Sequence, residues 1–488
     1  MAVRRSVAFL AMTAMLAGCG GGGGGGGGGS PTATGGNPVA TTPTPSPTVA
    51  GCSLRERQDW VAAQLREWYL FPETLPASLD PTPYSSVDTY LDALTATARS
   101  QRKDRYFTYL TSIKEETAYY TSGSSAGFGW RLGLDSSGRL YVTESFEGAP
   151  ALAAGVDRGA EILSIGTTTA NLQTVSSLYN AGGSVLSDAL GPSTAGTSRV
   201  FQVRDAAGTR TVTIGKTDFT LTPVSSRYGA QIISDAGQRY GYVNLRTFID
   251  TADPALRAAF AQFKAAGVTN IIVDLRYNGG GLVSIAELMS NLLGAARSTS
   301  EVMSYTSFRS EKSSNNETTF FAPQPQSVAP TRIAFIGTGG TASASEFVIN
   351  AFTPYLHSNS ALIGTNTYGK PVGQIALDKA ACDDRLRVIA FALRNSARQG
   401  AYYDGLASTV EASCRAADDL AYPMGDPREA STRSALDFLQ GKSCTRIGAT
   451  SASASAEARA MSVPMSREAL LPSGSDASTA QREVPGLF

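Results

Sequence analysis

Apolar residues along this chain follow two different spacings, and the switches between them mark out its regions. Trp60, Val61, Leu65, Trp68 and Tyr69 fall on one face of a helix, and a second helix is expected over Val87 to Arg99. From about Ser122 to Thr222 short strand-like runs, such as Arg131-Leu132-Gly133-Leu134, are separated by glycines. Beyond Val224 strands alternate with helices. Gly241 to Leu245 reads as a strand and Pro254 to Ala266 as an amphipathic helix. Ile271-Ile272-Val273-Asp274-Leu275 and Ile333-Ala334-Phe335-Ile336 read as buried strands. Phe347, Val348, Ala351 and Phe352 mark another helix, and Ala361-Leu362-Ile363-Gly364 a further strand. That alternation predicts an α/β core.

The expected organisation is a leader over 1–18, a flexible tether over 19–50, a small N-terminal helical domain over 51–120, a β domain over 121–222, a core over 223–447 and a disordered tail over 448–488. The length, 488 residues, fits two or three domains. Lysine plus arginine equals aspartate plus glutamate at 41 each, so no basic field recruits nucleic acid.

Arg4 and Arg5 precede an apolar run from Val7 to Leu16, the layout of an export signal too short to span a bilayer permanently. Leu16-Ala17-Gly18-Cys19 resembles a bacterial lipobox, which implies a lipid on Cys19 and a membrane partner reached through that lipid. Plain secretion is the alternative. Gly20 lacks the aspartate associated with inner-membrane retention, so the expected location is the cell envelope, at the periplasmic side of the outer membrane. The glycine run and Ser/Thr/Pro repeats that follow have no apolar content to offset ordering entropy. Cys52, Cys382, Cys414 and Cys444 remain, an even number that suggests two disulfides among three pairings. The pairing expected is Cys382–Cys414 with Cys52–Cys444. No Cys-x-x-Cys or His-Cys cluster points to a metal.

The chemistry concentrates between Thr331 and Gln374. Thr341-Ala342-Ser343-Ala344-Ser345-Glu346 follows a buried strand and opens a helix, where unpaired N–H groups can stabilise an oxyanion. Ser343-Ala344-Ser345-Glu346 also fits a capping box that does nothing more than start the helix. His357 is the only histidine, and its polar surroundings read as a solvated helix end. A serine nucleophile therefore needs another base, and lysine is the known substitute. Lys370, between Gly369 and Pro371 after an apolar strand, can serve if burial lowers its pKa from about 10.4. Gln374 could orient the neutral amine or the serine through its amide.

At these residues the chain resembles the C-terminal processing, or tail-specific, serine peptidases. Their pattern is a Ser/Thr-Ala-Ser-Ala-Ser-Glu run followed by a Thr-Phe-Gly-Lys-Gly-x-x-x-Gln-like run. Carried over by position, the resemblance implies Ser343 as nucleophile, Lys370 as general base and Gln374 as the orienting residue. Pro371 stands where glycine is usual, and the span from Ser343 to Lys370 is slightly long, with the excess expected near Pro354 to Ser360. Asp274-Leu275-Arg276-Tyr277-Asn278-Gly279-Gly280-Gly281 matches a family run that gives an oxyanion N–H, here Gly280 or else Gly281, beside that of Ala344. Asp274 and Arg276 read as a structural ion pair. Gly127-Phe128-Gly129-Trp130, with the glycine-rich succession to Gly166, resembles a PDZ domain whose loop at Phe128, Gly129 and Trp130 would capture a peptide's terminal carboxylate. Ala160 replaces the aspartate usual there.

The resemblance implies a crotonase/ClpP-like ββα core with a PDZ-like β domain, no cofactor, and protein or peptide substrates with free C-terminal tails. It leaves the oligomeric state open. A catalytically silent peptide-binding lipoprotein is the alternative from another class. A hydrolase or acyltransferase acting on small esters is a third reading, disfavoured by the PDZ-like region.

Overall fold

A six-stranded sheet forms the centre of the protein, which is described by a computed structural model over residues 49–182, 184–448, 467–472 and 477–488. Its strand order is Gln231–Asp235, Gln238–Asn244, Asn270–Asp274, Arg332–Gly337, Ser360–Gly364 and Ala412–Arg415. The first pair is antiparallel and every later pair is parallel. Parallel strands covered on both faces read as continuous apolar runs, which is why Ile271–Val273 and Ile333–Ile336 carry no alternation. Val243, Ile271, Val273, Ile333, Phe335 and Leu362 face the helices Ala252–Ala265, Val283–Leu292 and Ala344–Leu356. Tyr242, Ile272, Ala334, Ile336 and Ile363 face the helix Ala430–Leu439 on the other side. The register pairs Asp274 with Ile336 and Gly337 with Gly364. The loops after these strands, which hold Asn278, Ser343 and Lys370, therefore leave the same edge of the sheet. Ligand sites of open α/β sheets lie at that edge.

Two β layers flank this centre. Asp384–Arg394 pairs with Tyr109–Ser112, Val302–Phe308 and Val372–Lys379, and Glu317–Phe320 completes a five-stranded sheet. The helices Leu54–Trp68 and Val87–Ser100 appear as the sequence predicts, capped by Ser53 and Ser86. Their apolar faces share one buried cluster with Val372, Leu386, Val388 and Ile389, so the N-terminal helices pack directly on the core. The β domain is an antiparallel sheet in the order Glu468–Ala469, Trp130–Leu134, Leu140–Ser145, Glu161–Gly166, Ser198–Asp205, Gly208–Gly215. Ser124–Gly127 pairs with Thr217–Thr220 where the chain enters and leaves it.

Two expectations are corrected. The disulfides are Cys52–Cys382 and Cys414–Cys444, with Cα atoms 5.5 and 5.4 Å apart. Cys382 lies in the turn of the Val372–Arg394 hairpin, which packs on the first helix, so its neighbour is Cys52 and not Cys414. Cys414 lies in the edge strand of the central sheet, beside the segment that returns after the Ala430–Leu439 helix. The tail over 448–488 contains ordered structure. Glu468–Ala469 adds to Trp130–Leu134, Thr479–Glu483 is a helical turn, and Ala480, Val484, Leu487 and Phe488 are buried. The expectation failed because these apolar positions are too few and too scattered to show a period. The expected leader, Cys19 and the expected tether up to residue 48 lie outside the described residues.

Asp274 and Arg276 form the expected ion pair, with Arg276 Nε donating to Asp274 at 2.9 Å, and Nη1 and Nη2 donate to Glu429 at 2.9 Å each. All three side chains are fully buried, and Tyr242 donates to Asp274 at 2.7 Å. Replacing Arg276 with Met removes the hydrogen-bonded counter-charge of two buried carboxylates, Asp274 and Glu429. The expected loss is about 3–5 kcal/mol, read as a lower denaturant midpoint at unchanged slope.

Candidate active site

Ser343 precedes the first residue of the Ala344–Leu356 helix with φ 54° and ψ −114°, a conformation sparsely populated by side-chain-bearing residues. Holding it there costs on the order of 1–3 kcal/mol, which surrounding structure must offset. The offset comes from Glu346, one turn on and fully buried. Its Oε2 accepts from the Ser343 amide at 3.0 Å and from the Lys370 amide at 2.7 Å. Its Oε1 accepts from the Thr367 hydroxyl at 2.6 Å and the Gly369 amide at 2.7 Å. The Ser-x-x-Glu signal is thus a helix start, and the same carboxylate ties Ser343 to the loop carrying Lys370. Burial pushes the Glu346 carboxyl above its ordinary range, while the hydrogen bonds from Lys370, Thr367, Gly369 and Ser343 pull the other way.

Lys370 is partly exposed as a residue, but its amine end lies inside the protein. Burial lowers its pKa from the usual lysine value, against the opposing pull of nearby carboxylates, Glu483 first. Nζ donates to Gln374 Oε1 at 2.9 Å and sits 5.1 Å from the centre of the Phe107 ring. Gln374 in turn donates through Nε2 to the Phe107 carbonyl, which fixes which end of the amide faces the lysine. Gln374 thus presents its carbonyl oxygen to the amine. No hydrogen bond joins Lys370 Nζ to the Ser343 hydroxyl in this arrangement, and such contacts commonly tighten only around substrate.

The glycine loop packs directly against the serine. Gly280 has φ 124°, and a Cβ on it would lie 2.8 Å from Ser343 Cβ and 3.2 Å from Ala344 N. Only glycine fits there. Its N–H donates to Asn278 Oδ1 at 2.9 Å, so one expected oxyanion donor is engaged within its own loop. The Ala344 amide has no acceptor among the described residues. Asn278 also donates to the Leu245 carbonyl at 2.9 Å, and its own carbonyl accepts from Ala342 and the Ser345 hydroxyl, both at 3.0 Å.

Several contributors were missed from the sequence. Phe107 and Arg105 come from a region assigned no chemistry. Arg105 donates to the carbonyls of Tyr368, at 2.8 Å, Gly369 and Tyr403, and lies over the Tyr368 ring, clamping the lysine loop. Both act across more than 250 residues of sequence, and nothing local marks them. Asn278 and Glu346 lay within quoted motifs but were not given these roles. His357 is exposed at the helix end and bonds Glu411 at 2.6 Å, as its polar surroundings predict.

The expected peptide-binding loop lies in the β domain. Phe128 and Trp130 are fully buried and their rings pack 5.4 Å apart, so both serve as core. The loop's backbone is engaged instead: Gly129 and Trp130 amides donate at 3.0 and 3.4 Å to the carbonyl oxygen of Phe488.

Residues 239–399 match the model of peptidase family S41, and residues 56–109 match the peptidase S41 N-terminal domain. The chain is 27% identical over 271 residues to the chloroplastic C-terminal processing peptidase of Tetradesmus obliquus, covering 53% of this chain and 54% of that one. It is 26% identical over 279 residues to a carboxy-terminal processing protease of Bacillus subtilis, covering 56% and 53%. The chain thus spans about half the length of the curated relatives it matches. A solved structure of a Bacteroides fragilis chain assigned to the S41 proteases shares the fold. Its TM-score is 0.60 at 23% identity, over 78% of this chain and 97% of that one.

Exchanging Glu346 for Gln replaces one acceptor oxygen with an NH2 that faces donors already in place. The variant is expected to lose about 1–3 kcal/mol of stability and most of its activity, checked by thermal denaturation beside a turnover assay.

Proposed function

We propose, from the two peptidase family S41 domains that this chain carries, that it is a serine endopeptidase with Ser343 as nucleophile and Lys370 as general base. The observation that carries the reading is a lysine whose amine is taken into the interior without a carboxylate partner and held by Gln374, on a loop that shares Glu346 with the serine. A surface lysine has no such need, and a lysine acts as a base only when burial favours its neutral form.

The Ser343 hydroxyl proton passes to the neutral amine as Oγ bonds to the substrate's carbonyl carbon. The oxyanion is received by the Ala344 amide and by the Gly280 amide once it turns from Asn278. The carbon–nitrogen bond then breaks, the departing nitrogen takes the proton from Lys370, and an ester remains on Ser343. A water that gives its proton to Lys370 attacks this ester, and the serine recovers a proton as the acid leaves.

The β domain is read as PDZ-like and the core as crotonase/ClpP-like. A substrate tail would add as a strand to Trp130–Leu134 with its end on the Gly129 and Trp130 amides. The carbonyl that those amides already hold supports this reading. Export to the cell envelope with a lipid on Cys19 is part of the same proposal, supported by the leader pattern and by two disulfides, which persist in oxidising compartments.

Three measurements test it on an unfolded protein with a short apolar tail. Ser343→Ala is expected to abolish cleavage, and Lys370→Ala to lower kcat/KM by about 10²–10⁴; cleavage surviving in Ser343→Ala would reject the assignment. The pH profile follows from the depressed lysine pKa. The active form is neutral, so kcat/KM rises with pH through an ionisation below the usual lysine range and is flat above it. Glu483, Asp104 and Glu346 act on Lys370 to raise that ionisation, and Arg387 to lower it. A profile that climbs only near the ordinary lysine value would reject Lys370 as the base.

A further inference from the structure

The groove along Trp130–Leu134 is filled by the chain itself. Leu132 donates to the Gly486 carbonyl at 2.8 Å, Phe488 donates to the Trp130 carbonyl at 3.1 Å, and Leu487 pairs antiparallel with Arg131. With the Phe488 oxygen on Gly129 and Trp130, this is strand addition along the part of the sheet edge that Glu468–Ala469, paired with Gly133 and Leu134, does not cover. Phe488 joins the buried cluster of Phe128, Trp130, Val175 and Leu178. Leu487 and Val484 join a second cluster with Phe146, Phe219 and Ile249.

The same segment reaches the candidate active site. Gly279, next to Gly280, donates its amide to the Glu483 carbonyl at 3.0 Å. The Glu483 carboxylate accepts from Tyr120 at 3.0 Å, and the Thr479 amide donates to Glu115 at 2.9 Å. One segment thus holds both the peptide-capturing loop and the glycine loop, while Gly280 faces Asn278 and Lys370 makes no bond to Ser343. The Glu483 charge also favours the ammonium form of Lys370, the wrong form for a base.

We propose that residues 478–488 are an autoinhibitory strap that occupies the peptide groove as a substrate tail does and restrains the Gly279–Gly281 loop through Glu483. The ligands that displace it are peptide segments carrying Gly-apolar-Phe. The glycine is required because Gly486 has φ 86° and a Cβ there would lie 2.6 Å from the Leu132 carbonyl. The final position wants an apolar ring, for which a buried cluster is already shaped. The inhibitory half rests on the peptidase reading, and the groove half does not.

The test compares the full chain with its Leu487→Asp/Phe488→Asp variant, which puts two carboxylates where the strap needs apolar burial. In the wild-type protein the amides of Gly129, Trp130 and Gly279 are expected to exchange hydrogen slowly, and in the variant at least tenfold faster. A labelled peptide of sequence 478–488 should bind the variant at least tenfold more tightly than the wild type, and lose that binding when its Gly486 position is Ala. Cleavage of a short end-blocked peptide should be at least fivefold faster in the variant and be suppressed again by the 478–488 peptide. Fast exchange of the three amides in the wild-type protein overturns the strap whether or not the variant folds. So does equal peptide binding by the two proteins, or turnover unchanged with peptide bound. If exchange and binding behave as expected but neither protein cleaves anything through Ser343, the strap's docking stands and the peptidase reading falls.

Discussion

A single buried carboxylate holds the candidate site together. Glu346 receives four hydrogen bonds on two oxygens, from the backbone of Ser343 at one end and from the Thr367–Lys370 loop at the other. Backbone amides taken out of water must find acceptors, and here three find the same side chain. That shared acceptor keeps Ser343 in its strained conformation and brings the lysine loop against the helix start. A charge in this place is costly by itself, and four charge-assisted hydrogen bonds offset the cost. Ser343 and Lys370 are therefore positioned by one group.

Around that group the protein uses distant segments to make a lysine less than ordinarily basic. The parallel strands deliver the loops to one edge, and the five-stranded sheet brings the N-terminal region alongside. Phe107 then supplies a ring beside the amine and a carbonyl that orients Gln374, while Arg105 clamps the backbone before Lys370. Phe107 and Arg105 lie within residues 56–109, which match the S41 N-terminal domain. The glycine loop obeys a steric rule: Gly280 lies so close to Ser343 that no side chain fits between them. The donor geometry of that loop depends on which partner its amides face, Asn278 and the Glu483 carbonyl in the arrangement seen.

Much of this was legible in the residues alone. Continuous apolar runs marked the parallel strands because burial on both faces removes alternation, and helical spacing marked Leu54–Trp68, Val87–Ser100 and Ala344–Leu356. The lone histidine, with its polar surroundings, left lysine as the base, and the runs at Ser343 and Lys370 resembled a family whose model residues 239–399 match. These are local signals, written in spacing and residue type over a dozen positions. What the tertiary structure decided is what depends on segments far apart in sequence. The cysteine count predicted two disulfides, but the pairing followed from which turn packs on which helix. Ser-x-x-Glu predicted a helix start, but the second function of Glu346 exists only because Lys370 folds back onto it. The tail looked featureless, since Val484, Leu487 and Phe488 have no period, and they became buried only because the Trp130 end of a sheet edge and two apolar clusters received them. A sequence states what each segment can do by itself; which groups meet is settled by packing, because every buried donor and every apolar face must find a partner somewhere in the fold.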